Sequence, residues 1–600
     1  MMAQMLRKDV PEELTWDLSA LYHTRQDWEK ELKALKQDVA EVTAYKGKLA
    51  SSSTTLLEAF RAFESFYERL VKVRTYALLR TSTDGADADN QADLAKTASV
   101  IADINAELSF FKPELLNIPE ETIKRYMAEE KDLQTYEKVL SDIIEEKPHT
   151  LAPEMEELLA RLSEIHDAPY MIYERTKQAD MDFPSFEDDE GNRLPLSEAL
   201  YEDRYEISPN TTIRRNAYEA YVDTLAKYQH TTAAVYATEV TKQIQLAKIR
   251  NYKTVTEMLL QPHQVTVEMY ENQLNIIQQE LAPHMRKLAK LKERKLGLDK
   301  MTYADLKAPL DPGFKPETTI AEAKEMILEA LSILGPEYLQ IIKDAFEKRW
   351  IDFADNVGKQ SGAFCASPYG ANSFILLTWT NMMRGTFTLA HELGHAGHFQ
   401  LTNKYQTILN TEVSTYFVEA PSTLNELLLG DYLLNKSDDE RMKAFVINNL
   451  LDTYYHNFVT HLLEAELQRR VYALAEAGTP LTADVLRQEK YEAIKNFWGE
   501  DVDIPESAGL IWMRQPHYYM GLYPYTYSAG LTIATAVMQR IKQEGDKAVN
   551  DWLNVLKAGS TLKPLDLAKM AGVDMTNPDT IKAAVAYVGS LVEQLEAICQ

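Results

Sequence analysis

Apolar residues recur at three- and four-residue spacings along most of this 600-residue chain, and that periodicity restricts its fold more than any other feature. Stretches such as "TRQDWEKELKALKQDVAEVTAY", "EMEELLARLSEIH" and "ENQLNIIQQELAPHMRKLAKLKERK" set those residues among Glu, Lys and Ala, as amphipathic helices do. With 45% apolar residues the chain can bury a large core, so the expected architecture is mostly α, in two or more domains or one elaborated domain. Two places break the helical pattern. In "MDFPSFEDDEGNRLPLSEALY", residues 181–201, Asp-Asp-Glu-Gly-Asn separates two short apolar pieces as a hairpin turn would, and a domain boundary is placed near residue 200. In the second, residues 361–390, the piece from Ser373 to Thr380 is rich in Phe, Ile, Leu and Trp and reads as a strand leading into the next helix. The chain shows no internal repeat and no low-complexity tract.

The helix after that strand carries "FTLAHELGHAGHFQ", Phe387 to Gln400. On a helix His391 and His395 lie one turn apart on one face, so both imidazoles reach one ion at about 2.0–2.1 Å; Glu392, about 100° around, reaches a water beside that ion. Zinc needs a third protein ligand. A metzincin would continue with glycine at position 398 and histidine at 401; the chain has His398 and Leu401, which excludes that class. His398, two turns along the helix and about 10 Å from His391, is expected to pack or support rather than ligate. The segment "NTEVSTYFVEAPSTLNELLLGDYLL" offers acids instead: Glu412, Glu419 and Glu426, seven apart and so on nearly one helical face, with Pro421 expected to kink or interrupt that helix. Glu419 is the central one. Two neutral imidazoles and one carboxylate leave a Zn²⁺ site net positive, enough to draw the pKa of bound water toward about 7. Glu412 and Glu426 read equally well as a solvated face or as supports behind the ligands.

Charge and cysteine content narrow the surroundings. Sixty-four basic residues stand against 91 acidic ones, net −27, with no Lys/Arg-rich block, which argues against nucleic acid and against an anionic membrane as partners. Two cysteines far apart, Cys365 and Cys599, make no disulfide framework and fit a reducing compartment. The first residues lack the apolar run of a signal peptide, and nowhere do eighteen apolar residues follow one another, so a soluble, cytoplasmic location is expected.

"HELGHAGH", with 23 residues between His395 and the glutamate of "VEAPSTLNE", resembles the metallopeptidases of the thimet oligopeptidase family, in detail its oligoendopeptidase F branch. Similar features cover most of the chain: "ELTWDLSALY", "GAFC", "SFILLTWT", "PHYYMGLYPYTYSAGL" and "LKAGSTLKPLDLAKMAGVDM". The resemblance implies a mostly helical, two-lobed shell around a deep central channel, with a small β-sheet next to the zinc helix. Residues 1–200 would form the N-terminal helical lobe and 201–600 the catalytic zinc peptidase domain. The implied activity is hydrolysis of internal bonds in short unstructured oligopeptides with one catalytic Zn²⁺. His391, His395 and Glu419 correspond to the ligands and Glu392 to the general base, in agreement with the residue-level reading. One departure stands out: the thimet-like branch often has an acid three residues before its ligand glutamate, and here that place is Tyr416. Orientation of the histidines then falls to Glu426 or Ser422, with Glu426 preferred because a ligating histidine usually donates its other N–H to a carboxylate or carbonyl.

An oxyanion donor is still needed. "RQPHYYMGLYPYTYSAGL" carries His517, Tyr518, Tyr519, Tyr523, Tyr525 and Tyr527 in eleven residues, and a phenol of pKa about 10 is a proton donor at neutral pH. Packing aromatics are the bland alternative in a chain with 32 tyrosines. In the family a histidine and tyrosines of this segment face the substrate, which points to His517 and Tyr527, with Tyr523 a further candidate because the spacing after His517 aligns in more than one way. Glu392 would take the proton of the attacking water and return one to the leaving amine. The strand at 373–380, if its edge is open, would hold the substrate backbone as an added strand. The alternatives are a zinc carboxypeptidase or dipeptidase of similar shell, or a catalytically dead peptide-binding protein, against which the intact Glu392 argues.

Two further clusters are read as structural. "STDGADADNQADL", residues 82–94, has its glycine misplaced for an EF-hand and lacks the closing Glu, so an interhelical loop with a cap is expected. "YYHNFVTHLLEAELQRR" places His456, His461, Glu464 and Glu466 on a helix, but a spacing of five spreads the two histidines off one face, and core or capping roles are expected rather than a second metal.

Overall fold

The computed structural model describes residues 5–599. It is 73% helical with a few short strands. Apolar side chains gather into two main cores, one running from Trp28 to Ile143 and the other from Phe186 to Leu595. The first belongs to a helical lobe built on α1 (Arg25–Thr43), α2 (Ser53–Thr83) and α3 (Ala88–Leu108). In α1 the buried residues are Trp28, Leu32, Leu35, Val39 and Val42, alternating four and three apart. Each contributes roughly 1.5–3 kcal/mol by leaving water. Thr24 starts the helix with a reciprocal cap: its hydroxyl accepts from the Asp27 N–H and the Asp27 carboxylate accepts from the Thr24 N–H. Asp87 likewise caps α3, accepting from the Asn90 N–H, so the 82–94 segment holds the expected interhelical loop, at residues 84–87, with a cap.

The break at 181–201 is a hairpin. Strands β1 (Phe186–Glu187) and β2 (Arg193–Leu194) pair antiparallel, Asp188 accepts from the N–H groups of Glu190 and Asn192, and Gly191 takes φ +81° in the turn.

A three-stranded sheet precedes the motif helix: β3 (Ile351–Asp352), β4 (Phe364–Ala366) and β5 (Phe374–Leu376), in the order β3-β5-β4. The strand expected over 373–380 is therefore shorter, and it sits in the centre. β5 pairs parallel with β3 and antiparallel with β4, so neither of its edges is open, which corrects the expectation that it could take on a substrate strand. The far side of β3 is occupied as well, since the Phe353 N–H bonds the Leu14 carbonyl. Among the described residues the free edge is that of β4. Alternation along β5 explains its position between the cores. Phe374 and Leu376 meet Trp16 and Leu79, tying the N-terminal segment and α2 to the sheet, while Ile375 and Leu377 join the large core.

Seven helices of the second lobe form or support the channel: α4 (Thr211–Ile249), α5 (Val267–Leu296), α6 (Met383–Tyr405), α7 (Thr415–Lys436), α8 (Glu440–Tyr455), α9 (His461–Glu476) and α10 (Pro524–Glu544). Their walls enclose a cavity of 710 Å³. A second, of 1060 Å³, shares Lys292, Lys307, Arg384 and Asp452 with it, so the two are parts of one deep channel. Among the described residues no helix is long and apolar enough to cross a membrane.

Candidate active site

The motif helix α6 presents His391 and His395 one turn apart, with ring centroids 5.1 Å from each other. Helix α7 brings Glu419 to them: its Oε2 lies 3.3 Å from His391 Nε2 and 3.4 Å from His395 Nε2. Tetrahedral zinc with bonds of about 2.0–2.1 Å has its ligand atoms about 3.3–3.4 Å apart. The oxygen thus already stands at ligand spacing from both nitrogens, and all three atoms lie within 4.8 Å of one another.

Glycines allow this approach. A Cβ on Gly394 would lie 2.5 Å from Ser422 Cα and 2.6 Å from the Pro421 oxygen, so the backbones of α6 and α7 touch between the two histidines and Glu419. On the other side of α7, a Cβ on Gly530 of α10 would lie 3.0 Å from Glu419 Cβ. Of the kink or interruption expected at Pro421, the interruption does not occur: the helix runs through it from Thr415 to Lys436. Hydroxyls support the first turns: Ser422 and Thr423 both donate to the Glu419 carbonyl, at 2.9 and 2.6 Å.

Hydrogen bonds behind the three groups orient them. His391 Nδ1 donates to Glu426 Oε1 at 2.7 Å, which turns Nε2 toward Glu419, and Thr453 holds the other oxygen of Glu426 at 3.1 Å. Ser422 Oγ donates to Glu419 Oε2 at 2.9 Å. Both residues considered for Tyr416's missing acid therefore act, Glu426 on His391 and Ser422 on Glu419, while Tyr416 itself is buried. Glu412 does neither: it is exposed and precedes α7, so the three glutamates do not share one helical face. His398 is buried against Phe399 and Phe417, away from the ligand group.

Electrostatics follow from enclosure. Burial lowers the affinity of His391 for a proton, but the carboxylates of Glu419 and Glu426 outweigh it and hold the imidazole well above its ordinary value. The same imidazoles offset burial at Glu419 and hold it well below the carboxylate range. A group of donors that binds a proton this tightly in a negative pocket suits a divalent cation, which replaces that proton. Glu392 is 6% exposed and makes no hydrogen bond to a described residue. Burial pushes its carboxyl up, partly offset by His391 and His395.

Across the cavity stands the tyrosine segment. Tyr527, on α10, lines the 710 Å³ cavity together with His391, Glu419 and Glu426. Burial, a hydrogen bond with Tyr523 and the nearby carboxylates push its phenol far up, so it stays a donor. His517 and Tyr523 sit beside it, with ring centroids 5.8 and 5.1 Å from Tyr527, outside the lining of that cavity. The other tyrosines pack: Tyr518 and Tyr525 are buried, Tyr525 within 2.9 Å of His263 Nδ1, and Tyr519 lies against Tyr173 and Tyr236.

One group departs from α-helical spacing. Residues His456–Thr460 form a single π turn between α8 and α9. In an i→i+5 turn, residues five apart face the same way. His456 Nε2 and His461 Nε2 are accordingly 3.0 Å apart, contrary to the expectation that a spacing of five separates them. Glu464 joins them and reaches His517 as well. No 3.6-residue pattern signals this; a pair of histidines five apart is the one trace it leaves in the sequence.

Residues 205–587 match peptidase family M3, and residues 114–183 match the oligopeptidase F N-terminal region of that family. The chain belongs to peptidase family M3. It is 33% identical to oligopeptidase PepF of Bacillus subtilis over 594 residues, 99% of this chain and 88% of the relative. Among solved structures it resembles a putative peptidase from Chlamydophila abortus (TM-score 0.89, 26% identity, 99% and 100% of the two chains covered). It also resembles oligoendopeptidase-F from Enterococcus faecium (TM-score 0.73, 26% identity, 96% and 99% covered). Family M3 is a metallopeptidase family, and membership makes this chain a peptidase acting on oligopeptides.

Proposed function

We propose that this M3 peptidase is a zinc-dependent endopeptidase that cleaves internal bonds of short, unstructured oligopeptides in the cytoplasm. Residues 201–600 form its catalytic domain and 1–200 the N-terminal helical lobe. The observation that carries the reading is the spacing of His391 Nε2, His395 Nε2 and Glu419 Oε2 at 3.3 and 3.4 Å, too long for good hydrogen bonds and right for one tetrahedral ion. These three residues would hold the zinc. When bound, the ion supplies Lewis acidity that polarises the scissile carbonyl and acidifies water.

The chain's own groups do the rest. Glu392 accepts a proton from the attacking water and delivers one to the leaving nitrogen. Tyr527 donates its hydroxyl to the carbonyl oxygen as that atom gains charge, and His517 and Tyr523 support it from behind. The free edge of β4 pairs with the substrate backbone; burial, and in smaller part the charge of Glu392, pushes the Cys365 thiol on that strand up to about 12. The second cavity adjoining that of the site adds room for a peptide longer than a terminal fragment, which supports internal cleavage.

Metal analysis and an internally quenched peptide blocked at both ends test this. The wild-type chain should hold about one zinc and cleave the blocked peptide, and His395→Ala should lose both metal and activity. Full zinc and activity in His395→Ala would refute the ligand set, and cleavage restricted to peptides with a free end would replace the endopeptidase reading by an exopeptidase.

A further inference from the structure

Glu464 is 2% exposed, on the first turn of α9, and one of its oxygens takes two hydrogen bonds. His461 Nδ1 donates to Oε2 at 2.8 Å and His517 Nδ1 to the same Oε2 at 3.0 Å. Burial alone would push this carboxyl up; His461 and His517 more than reverse that and hold it ionised. The ring of His461 is in turn stacked on Tyr527, with centroids 3.9 Å apart and planes 15° off parallel. The π turn makes this possible, because it moves His461 onto the face that looks toward α10.

His517 packs against the rings of His461, Tyr523 and Tyr527 but has a single polar side-chain tie. It lies in a four-residue 3₁₀ turn, Pro516–Tyr519, and the one side-chain hydrogen bond that its imidazole makes among the described residues is to Glu464. One buried carboxylate thus clamps two of the rings beside the phenol that faces the cavity.

We propose that Glu464 is a positioning residue for the oxyanion-stabilising wall: it fixes His517 directly and Tyr527 through the ring of His461. This rests on the reading of Tyr527 as the donor to the substrate oxygen. Glu464 does not line the cavity shared by His391, Glu419 and Tyr527, so it acts on that wall through its neighbours. A shift of about 1 Å in a catalytic group costs on the order of 100-fold in rate, and loss of the clamp permits a shift of that size.

The cluster does not have the spacing of a metal site. Its Nδ1···Oε2 distances of 2.8 and 3.0 Å are those of shared protons, shorter than the roughly 3.3 Å between ligand atoms on zinc, which the His391–Glu419–His395 group does show.

The test is a double-mutant cycle of Glu464→Gln and Tyr527→Phe, read as kcat, KM and zinc content. Gln keeps the shape and one acceptor oxygen but loses the charge that holds two donors. Glu464→Gln should lower kcat about 100-fold with KM within about twofold and zinc unchanged, and the double variant should be little worse than Tyr527→Phe alone. Wild-type kcat in Glu464→Gln beside a slow Tyr527→Phe overturns the positioning role and leaves the Tyr527 reading intact. Wild-type kcat in Tyr527→Phe removes the donor reading and this inference with it, while the zinc and Glu392 roles stand. A second zinc bound by wild type and lost in Glu464→Gln overturns the proposal in favour of a metal site. Should Glu464→Gln not fold, His461→Ala keeps the Glu464–His517 bond and removes the platform under Tyr527; a drop in kcat of about tenfold or more at unchanged KM supports the proposal, and wild-type kcat overturns it.

Discussion

Gly394→Ala adds one methyl group where α6 meets α7. The new Cβ would lie 2.5 Å from Ser422 Cα and 2.6 Å from the Pro421 oxygen. Carbon atoms in contact normally stay about 3.5–4.0 Å apart, so the helices must separate by about 1 Å. Both clashing atoms are backbone, and no side-chain rotation relieves them. Glu419, three residues before Ser422 on the same helix, moves with it, and its distances of 3.3 and 3.4 Å to the two histidines open toward about 4.3 Å. Ligand bonds tolerate about 0.2 Å. Either the ion is held with a stretched bond or the helices are forced back against an overpacking strain of about 1–3 kcal/mol. Zinc affinity should therefore fall about 5- to 150-fold, at 1.4 kcal/mol per factor of ten. Alanine favours a helix over glycine by about 1 kcal/mol, so the metal-free variant should keep most of its thermal stability, and the damage should appear in the metal site. Competition with a chelator of known affinity measures the zinc constant, and kcat at saturating zinc measures what is left of the geometry. Gly394→Ala with wild-type zinc affinity and kcat would refute the idea that backbone contact between α6 and α7 sets the ligand spacing.

Glu392→Gln should retain zinc and lose about 10²–10⁴ in kcat, because Gln keeps the shape without accepting a proton; near-normal turnover at unchanged metal content would remove Glu392 from the mechanism. Tyr527→Phe should cost about 2.7–4 kcal/mol, seen in kcat and not in KM, whereas a raised KM at constant kcat would make Tyr527 a binding contact. Burial, with the charge of His395 as a lesser cause, lowers the pKa of His398 to about 3, against about 6.5 in an unfolded chain. His398 is therefore neutral in the folded state, and its contribution is complete above about pH 6.5. As pH falls from there toward 3, the unfolded state takes up a proton that the folded state refuses, and stability is lost at up to about 1.4 kcal/mol per pH unit. The melting temperature of His398→Asn should fall less steeply than that of wild type between pH 6.5 and 4; equal slopes would show that His398 is not held neutral.

Much of this protein was legible before its fold. The four-three alternation of Trp28, Leu32, Leu35, Val39 and Val42 is local, since 3.6 residues per turn puts such positions on one face of any helix. His391 and His395 share a face for the same reason, and the turn chemistry of residues 188–192 makes a hairpin wherever it stands. Tertiary structure decided what depends on partners distant in the chain. Residues 374–376 look like any apolar strand, and only the arrival of β3 and β4 on both sides closes their edges and leaves the free edge to β4. Glu412, Glu419 and Glu426 have equal spacing, but α7 begins after the first, and packing against Gly394 and Gly530 selects the second. Among the tyrosines between 518 and 527 the residue type is the same throughout; which ones fill the core and which one faces the cavity is fixed by how the turn at Pro516–Tyr519 and the start of α10 pack in the bundle. The π turn at His456–Thr460 is the plainest case. It shifts the helical phase by one residue, a change too small to alter the hydrophobic pattern, and it brings His461 and Glu464 behind Tyr527.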